Sequence, residues 1–310
     1  MAVSLGYDEG GSGDTLLVSV QAGVFQKAKK LKTKWKADLQ KANITCFHSV
    51  DYGNFDGGTF REMKREQRRE LLASLSGHIR KRMLFGMTAK ITPSYYNSQA
   101  TPHIRSEWGT AYSFSIQMLM LITHELMETW KLGNEINVLI EDGHPNSDQM
   151  LQILGRIKRA HAVRPSEIPF HILSHGLGSK QDHPILQAAD MLAYSDWQRL
   201  QQKDRGIYDA LHVKGCRYRA GYVDLDKQLV GEALQIAQRS DIAKALLKKA
   251  WFYEKKADPN DPRTKKGLDE TKQAIREFRQ HYAETDQRST QRNQSQTGRG
   301  ESGEREEAEG

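Results

Sequence analysis

The chain is 310 residues long and 37% hydrophobic, with a formal net charge of +7 and two cysteines. No run approaches the ~20 consecutive apolar residues that a bilayer span requires, which excludes a transmembrane helix. Two lone cysteines exclude a disulfide framework and, with no secretory apolar stretch before the first strand-like segment, predict a cytoplasmic location.

In chain order, SLGYDEGG and TLLVSVQAGV read as two strands joined by a turn around Gly10–Asp14, which is a hairpin. Residues 27–42 read as a basic helix. Its stretch KAKKLKTKWK interleaves lysines with Leu31 and Trp35. With a sequence isoelectric point near 9.2, such a face suits a phosphate backbone, although a solvated helix face is the commoner use. ITCFHSV (Ile44–Val50) reads as a short extended piece. Thr59–Arg82 reads as one long charged helix, and Met83–Ile91 as a strand. Tyr95–Ser106 reads as a loop, and Glu107–Leu132 as a long apolar helix rich in Met, Leu and Phe. EINVLIED (Glu135–Asp142) is a continuous apolar run, which predicts a strand covered on both faces. Ser147–Ala162 follows as a helix, Ile168–His175 as a strand and His183–Gln198 as a helix. YRAGYVD, within 207–224, reads as either a short strand or a loop.

A hairpin followed by strand–helix alternation predicts an α/β fold, a mixed sheet with helices on both faces. The expected core is 1–205. A helical extension follows at 206–284, with amphipathic helices over 226–254 and 265–284. The polar, low-complexity tail at 285–310 is expected to be disordered.

The stretch HPILQAADMLAYSDWQ (His183–Gln198) carries the strongest chemical signal. Pro184 suits a first helical turn. Asp190 falls inside the apolar stripe of Leu186, Ala193 and Trp197. An unpaired carboxylate there would cost roughly several kcal/mol. It therefore needs a hydrogen-bond donor, a basic side chain or a metal, and a satisfied structural aspartate is an equal alternative. Two strands end in acids, Asp8-Glu9 and Glu141-Asp142. Alternation sends one acid of each pair to each face, so one of each is expected at a shared site. Three convergent carboxylates are the hard oxygen ligands that Mg²⁺ or Mn²⁺ takes. Such ions support phosphodiester cleavage.

GYDEGGSG, CFHSVDYGNF, VLIEDGHPN and HPILQAADMLAY together resemble the family catalogued as domain of unknown function 3800, over roughly residues 4 to 200. That family is similar to the ribonuclease H fold, in which acids on the first strand, the fourth strand and the final helix bind divalent metal. The resemblance implies metal ligands at Asp8, at Glu141 or Asp142, and at Asp190. Asp8, Asp142 and Asp190 would be the catalytic set. Gly10-Gly11 departs from the usual Ser-Gly after the first acids. A ribonuclease H site also uses a helical glutamate, for which Glu62, Glu66 and Glu107 are the candidates. Glu9, His48, Asp51, His144, Lys180, His183 and Gln187 are candidates for the surrounding shell. His48 could orient a phosphate, and Lys180 and His183 could contact one. The expected function is a divalent-metal-dependent nuclease or related phosphoryl-transfer enzyme acting on nucleic acid. The alternative is a non-catalytic nucleic-acid- or protein-binding module on the same fold. HELME (His124–Glu128) lacks the second histidine of a zinc protease motif, and neither cysteine has the setting of a nucleophile.

Overall fold

The computed structural model describes residues 1–226 except 55–57, 101, 164–167, 204 and 214–215. The chain divides into two units, Met1–Lys248 and Lys249–Gly310, and every described residue belongs to the first. The helices expected beyond 226 and the tail expected at 285–310 lie outside the described residues.

Strands β1 (Val3–Ser12) and β2 (Thr15–Val24) form the expected hairpin through a tight Gly13-Asp14 connection, and β3 (Phe85–Ile91) pairs antiparallel to β2. Then β4 (Glu135–Glu141) runs parallel to β1, and β5 (His171–Gly178) parallel to β4. A sixth strand, β6 (Arg219–Asp224), runs parallel to β3. The mixed sheet has the order β5-β4-β1-β2-β3-β6. Three antiparallel strands followed by two parallel ones are consistent with a ribonuclease-H-like α/β fold, here widened at one edge by β6.

The helices are α1 (Phe25–Lys41), α2 (Ser49–Gly53), α3 (Arg65–Arg82), α4 (Pro93–Gln99), α5 (Pro102–Trp108), α6 (Ala111–Thr129), α7 (Ser147–Val163), α8 (Pro184–Leu200) and α9 (Gly206–Leu211). They cover both faces of the sheet. On one face α8 lies across β1, β2 and β3, and α6 packs on β2 and β3 from the other. The approach of α8 is set by Gly6. A Cβ there would come within 2.8 Å of Ile185, so only glycine lets the helix backbone down onto the strand. In α1, Leu31, Trp35 and Leu39 recur every four residues and are buried, while Lys29, Lys30, Lys32 and Lys34 are exposed. The Leu31 and Trp35 interleaved among the lysines thus belong to the core rather than to the outer surface.

Several local readings change. The segment expected as a loop at Tyr95–Ser106 is largely helical, because Pro93 and Pro102 open the helices α4 and α5 rather than interrupting structure. The long apolar helix expected from Glu107 breaks at Gly109, whose φ of +79° favours glycine, and α6 restarts with Thr110 as its cap. In β4, Ile136, Val138 and Ile140 are buried while Asn137 and Leu139 are only half-buried, so this strand is fully covered on one face. The charged helix begins at Arg65 instead of Thr59, and Ile44–Val50 forms no strand but leads into α2. The core also continues past residue 205, because β6 hydrogen-bonds along β3. It is tied there by Leu225 N–H to Lys90 O (2.7 Å) and by Lys90 Nζ to Asp226 (2.5 Å). No helix among the described residues is long and apolar enough to cross a membrane.

Candidate metal centre

Asp8 lies between Gly6 and Gly10 on β1, all three on the face that α8 covers. Asp190 lies on α8 between Ile185, which meets Gly6, and Ala193, which meets Gly10. This close packing of helix on strand aims the two carboxylates into one space. Parallel pairing of β1 with β4 runs to Tyr7 and Ile140, which sets the following residues, Asp8 and Glu141, side by side. Lys180, just past the end of β5, completes the group. Its Nζ lies 3.0 Å from Asp8 Oδ2, 3.1 Å from Glu141 Oε1 and 3.3 Å from Asp190 Oδ1. The other Asp190 oxygen accepts the Ser49 N–H at 2.7 Å. The buried aspartate thus has its partners within the protein: an ammonium and a backbone amide.

Glu9 joins as well, against the expectation that only one acid of each adjacent pair would. Oxygens of Asp8, Glu9 and Glu141 all lie within 4.8 Å of one another. The ladder to β4 ends beside Tyr7, so the longer Glu9 side chain has an open sheet edge past which to reach. Glu9 Oε2 is buried and has no hydrogen-bond partner among the described residues. The Tyr112 hydroxyl is in the same state in a side chain only 1% exposed, and it lies in the field of Glu9, Asp8 and Glu141. Burial, the Glu141 hydrogen bond and the Asp190 charge hold the Asp8 carboxyl well above the usual range, against the pull of Lys180. Burial and the Glu141 charge push Glu9 up to about 7, partly offset by Lys180. Burial alone would lower Lys180, but Asp190, Asp8 and Glu141 raise it well above its ordinary value. Burial, and the mutual repulsion of four carboxyl groups crowded beside one ammonium, is why Asp8 and Glu9 hold their protons in the absence of a further cation. Together with two orphaned buried oxygens, this donor set fits a hard divalent cation.

The remaining sequence candidates divide. Glu141 enters the cluster, while Asp142 is exposed on the turn beyond β4, where its N–H bonds Gly178 O. Asp142 is therefore not placed to act with Asp8 and Asp190. His48 and Asp51 face each other at 3.7 Å and are both substantially exposed, so this segment gives the cluster the Ser49 amide rather than an imidazole. His144 stacks on Tyr112 with centroids 3.7 Å apart, and burial lowers its pKa against the charge of Glu141. It borders the site without entering it. His183 occupies the N-cap position of α8 without a side-chain capping bond. Burial and the nearby Lys32 lower its pKa, Asp182 opposes them, and Lys36 reinforces the lowering. Lys180, expected against a phosphate, is inside the cluster. Gln187 takes a bridging role that its motif did not reveal. Its Oε1 accepts Trp35 Nε1–H (2.7 Å) and Phe47 N–H (2.8 Å), and its Nε2–H donates to Lys180 O (2.6 Å). Glu62 and Glu66 are exposed, and the Glu107 side chain lies outside the described residues. Within the cluster the further glutamate is Glu9. Burial pushes the Cys46 thiol up to about 11, which suits no nucleophile.

A further buried acid, Asp196, lies about two turns beyond Asp190 on α8. Burial pushes its carboxyl up to about 6 despite Thr88 and Arg199. Its folded value lies above the ordinary 3.8, so the folded state holds its proton longer than the unfolded chain. Stability contributed there is present at low pH and declines as pH rises from about 4 to about 6. Asp196→Asn is expected to remove that decline. In melting curves across this range, the variant's melting temperature should gain on the wild type as pH rises. A constant difference would show that Asp196 does not titrate there.

A scan against models of known protein families and a search of curated proteins both returned no match.

Proposed function

We propose that this protein is a divalent-metal-dependent nuclease or related phosphoryl-transfer enzyme acting on nucleic acid in the cytoplasm. On this reading it is a member of the family it resembles, and Asp8, Glu9 and Glu141 hold Mg²⁺ or Mn²⁺. The observation that supports it most is the convergence of those three carboxylates within 4.8 Å, with Glu9 Oε2 buried and unpartnered. A bound ion of this kind polarises a phosphoryl oxygen and lowers the pKa of water. The chain's own residues bind and orient the substrate. Lys32 and Lys36 of the basic helix lie near the loop that carries Lys180, where Lys36 faces Asp182 at 3.9 Å. The exposed α1 lysines would meet successive phosphates.

One observation favours a second reading, a non-catalytic binding module. The Lys180 ammonium already neutralises part of the acid cluster, so the acids can be a closed structural network. The deciding experiment incubates labelled single- and double-stranded DNA and RNA with Mg²⁺ or Mn²⁺ and the wild type, Asp8→Asn, Glu141→Gln or Asp142→Asn. Cleavage is expected with the wild type and Asp142→Asn. It should fall about a hundredfold or more in the other two, matching several kcal/mol of lost charge stabilisation. Retention of nucleic acid without cleavage, or equal cleavage in all four proteins, would favour the binding module.

A further inference from the structure

The acid cluster forms two triangles of carboxylates that share Asp8 and Glu141. Asp8, Glu9 and Glu141 bound the first. Asp8 and Glu141 also face Asp190, and Lys180 Nζ fills the middle of that second triangle at 3.0, 3.1 and 3.3 Å. Cation pairs in phosphodiester-cleaving sites are spaced about 3.5–4 Å apart and share ligands in this way. The ammonium is held there from several directions. Its side chain is only 14% exposed, and its carbonyl accepts a hydrogen bond from Gln187. Asp190 turns one oxygen to the ammonium and the other to the Ser49 N–H, so both are already engaged within the protein.

We propose that Lys180 is the built-in second cation of this site, so that a single divalent ion loads between Asp8, Glu9 and Glu141. The inference rests on the divalent-metal reading above and specifies its stoichiometry and cation set. Asp190 then serves as the seat of the ammonium rather than as a metal ligand. That role also explains its position in an apolar helix face, since a fixed ammonium needs a fixed counter-charge. In phosphodiester hydrolysis the ammonium would stabilise developing phosphate charge through its field rather than by a direct hydrogen bond, because its three N–H donors are engaged by Asp8, Glu141 and Asp190, and it needs no ion to be recruited.

The test counts bound Mn²⁺ on the full chain by calorimetric titration and by the loss of the free-ion paramagnetic resonance signal. The wild type is expected to take one ion. Lys180→Ala should take two, because the second triangle is emptied. Asp190→Asn should keep one, and Glu9→Gln should weaken that one by about tenfold. Two ions on the wild type would overturn the proposal. So would a single ion of unchanged affinity on both wild type and Lys180→Ala. No ion on any form would overturn it together with the metal reading itself. If Lys180→Ala fails to fold, Lys180→Gln replaces it, and the wild-type count still decides the first arm.

Discussion

Replacing Gln187 with leucine should lower the stability of the folded chain by at least about 3 kcal/mol, the sum of three stranded polar groups at about 1 kcal/mol each. Leucine is close in size, so packing is nearly preserved and the loss isolates the hydrogen bonds. The Trp35 indole N–H, the Phe47 N–H and the Lys180 carbonyl all end on this one amide. Each belongs to a different part of the chain: helix α1, the segment before α2, and the loop between β5 and α8. The amide therefore joins three segments to the helix that carries Asp190. Trp35→Phe, which removes only the indole donor, should cost about 1 kcal/mol from the bond, plus whatever the smaller ring loses in packing. Chemical denaturation of both variants beside the wild type checks this. A Gln187→Leu chain as stable as the wild type would mean that the three groups find other partners. Because the same amide pins the Lys180 backbone, Gln187→Leu should also weaken Mn²⁺ binding, by about tenfold or more.

Lys180→Met should be as damaging, for an electrostatic reason. Methionine retains the unbranched stem and removes the charge. Asp8, Glu141 and Asp190 then face one another without a counter-ion, in a place where Asp8 has no exposed surface. Breaking a buried ion pair from one side costs about 3–5 kcal/mol. For a folded unit of this size that corresponds to a melting temperature lower by about 6–20 °C when metal is removed by a chelator. Lys180→Arg keeps the charge and should recover part of the loss, limited by the larger guanidinium. Adding Mn²⁺ should raise the melting point of Lys180→Met more than that of the wild type, since ligand binding to the folded state supplies the missing charge. A Lys180→Met chain that melts with the wild type in chelator would show that the carboxylates are protonated and need no ammonium.

The sequence by itself determined the elements that local pattern controls. Two strand-like runs on either side of a Gly/Ser/Asp turn specified the β1–β2 hairpin. The strand–helix alternation specified an α/β sheet covered on both faces. An aspartate inside an apolar helical stripe marked Asp190 as a buried charge that required a partner, and the two acidic strand segments were visible as candidates. Tertiary structure alone decided who meets whom. Alternation states which acids share a face but not where the neighbouring strand stops. It was the end of the β1–β4 ladder at Tyr7 and Ile140 that admitted Glu9, brought in Glu141 and left Asp142 on an exposed turn. Lys180 and Gln187 carried no local signal of their roles, since a lysine in a polar loop and a glutamine in a helix are ordinary residues. Their importance comes from β5 ending beside Glu141 and from α8 settling onto Gly6, contacts between positions far apart in the chain. Burial is a property of the whole fold, and it is burial that turns those ordinary side chains into the counter-charge and the bridge on which the site depends.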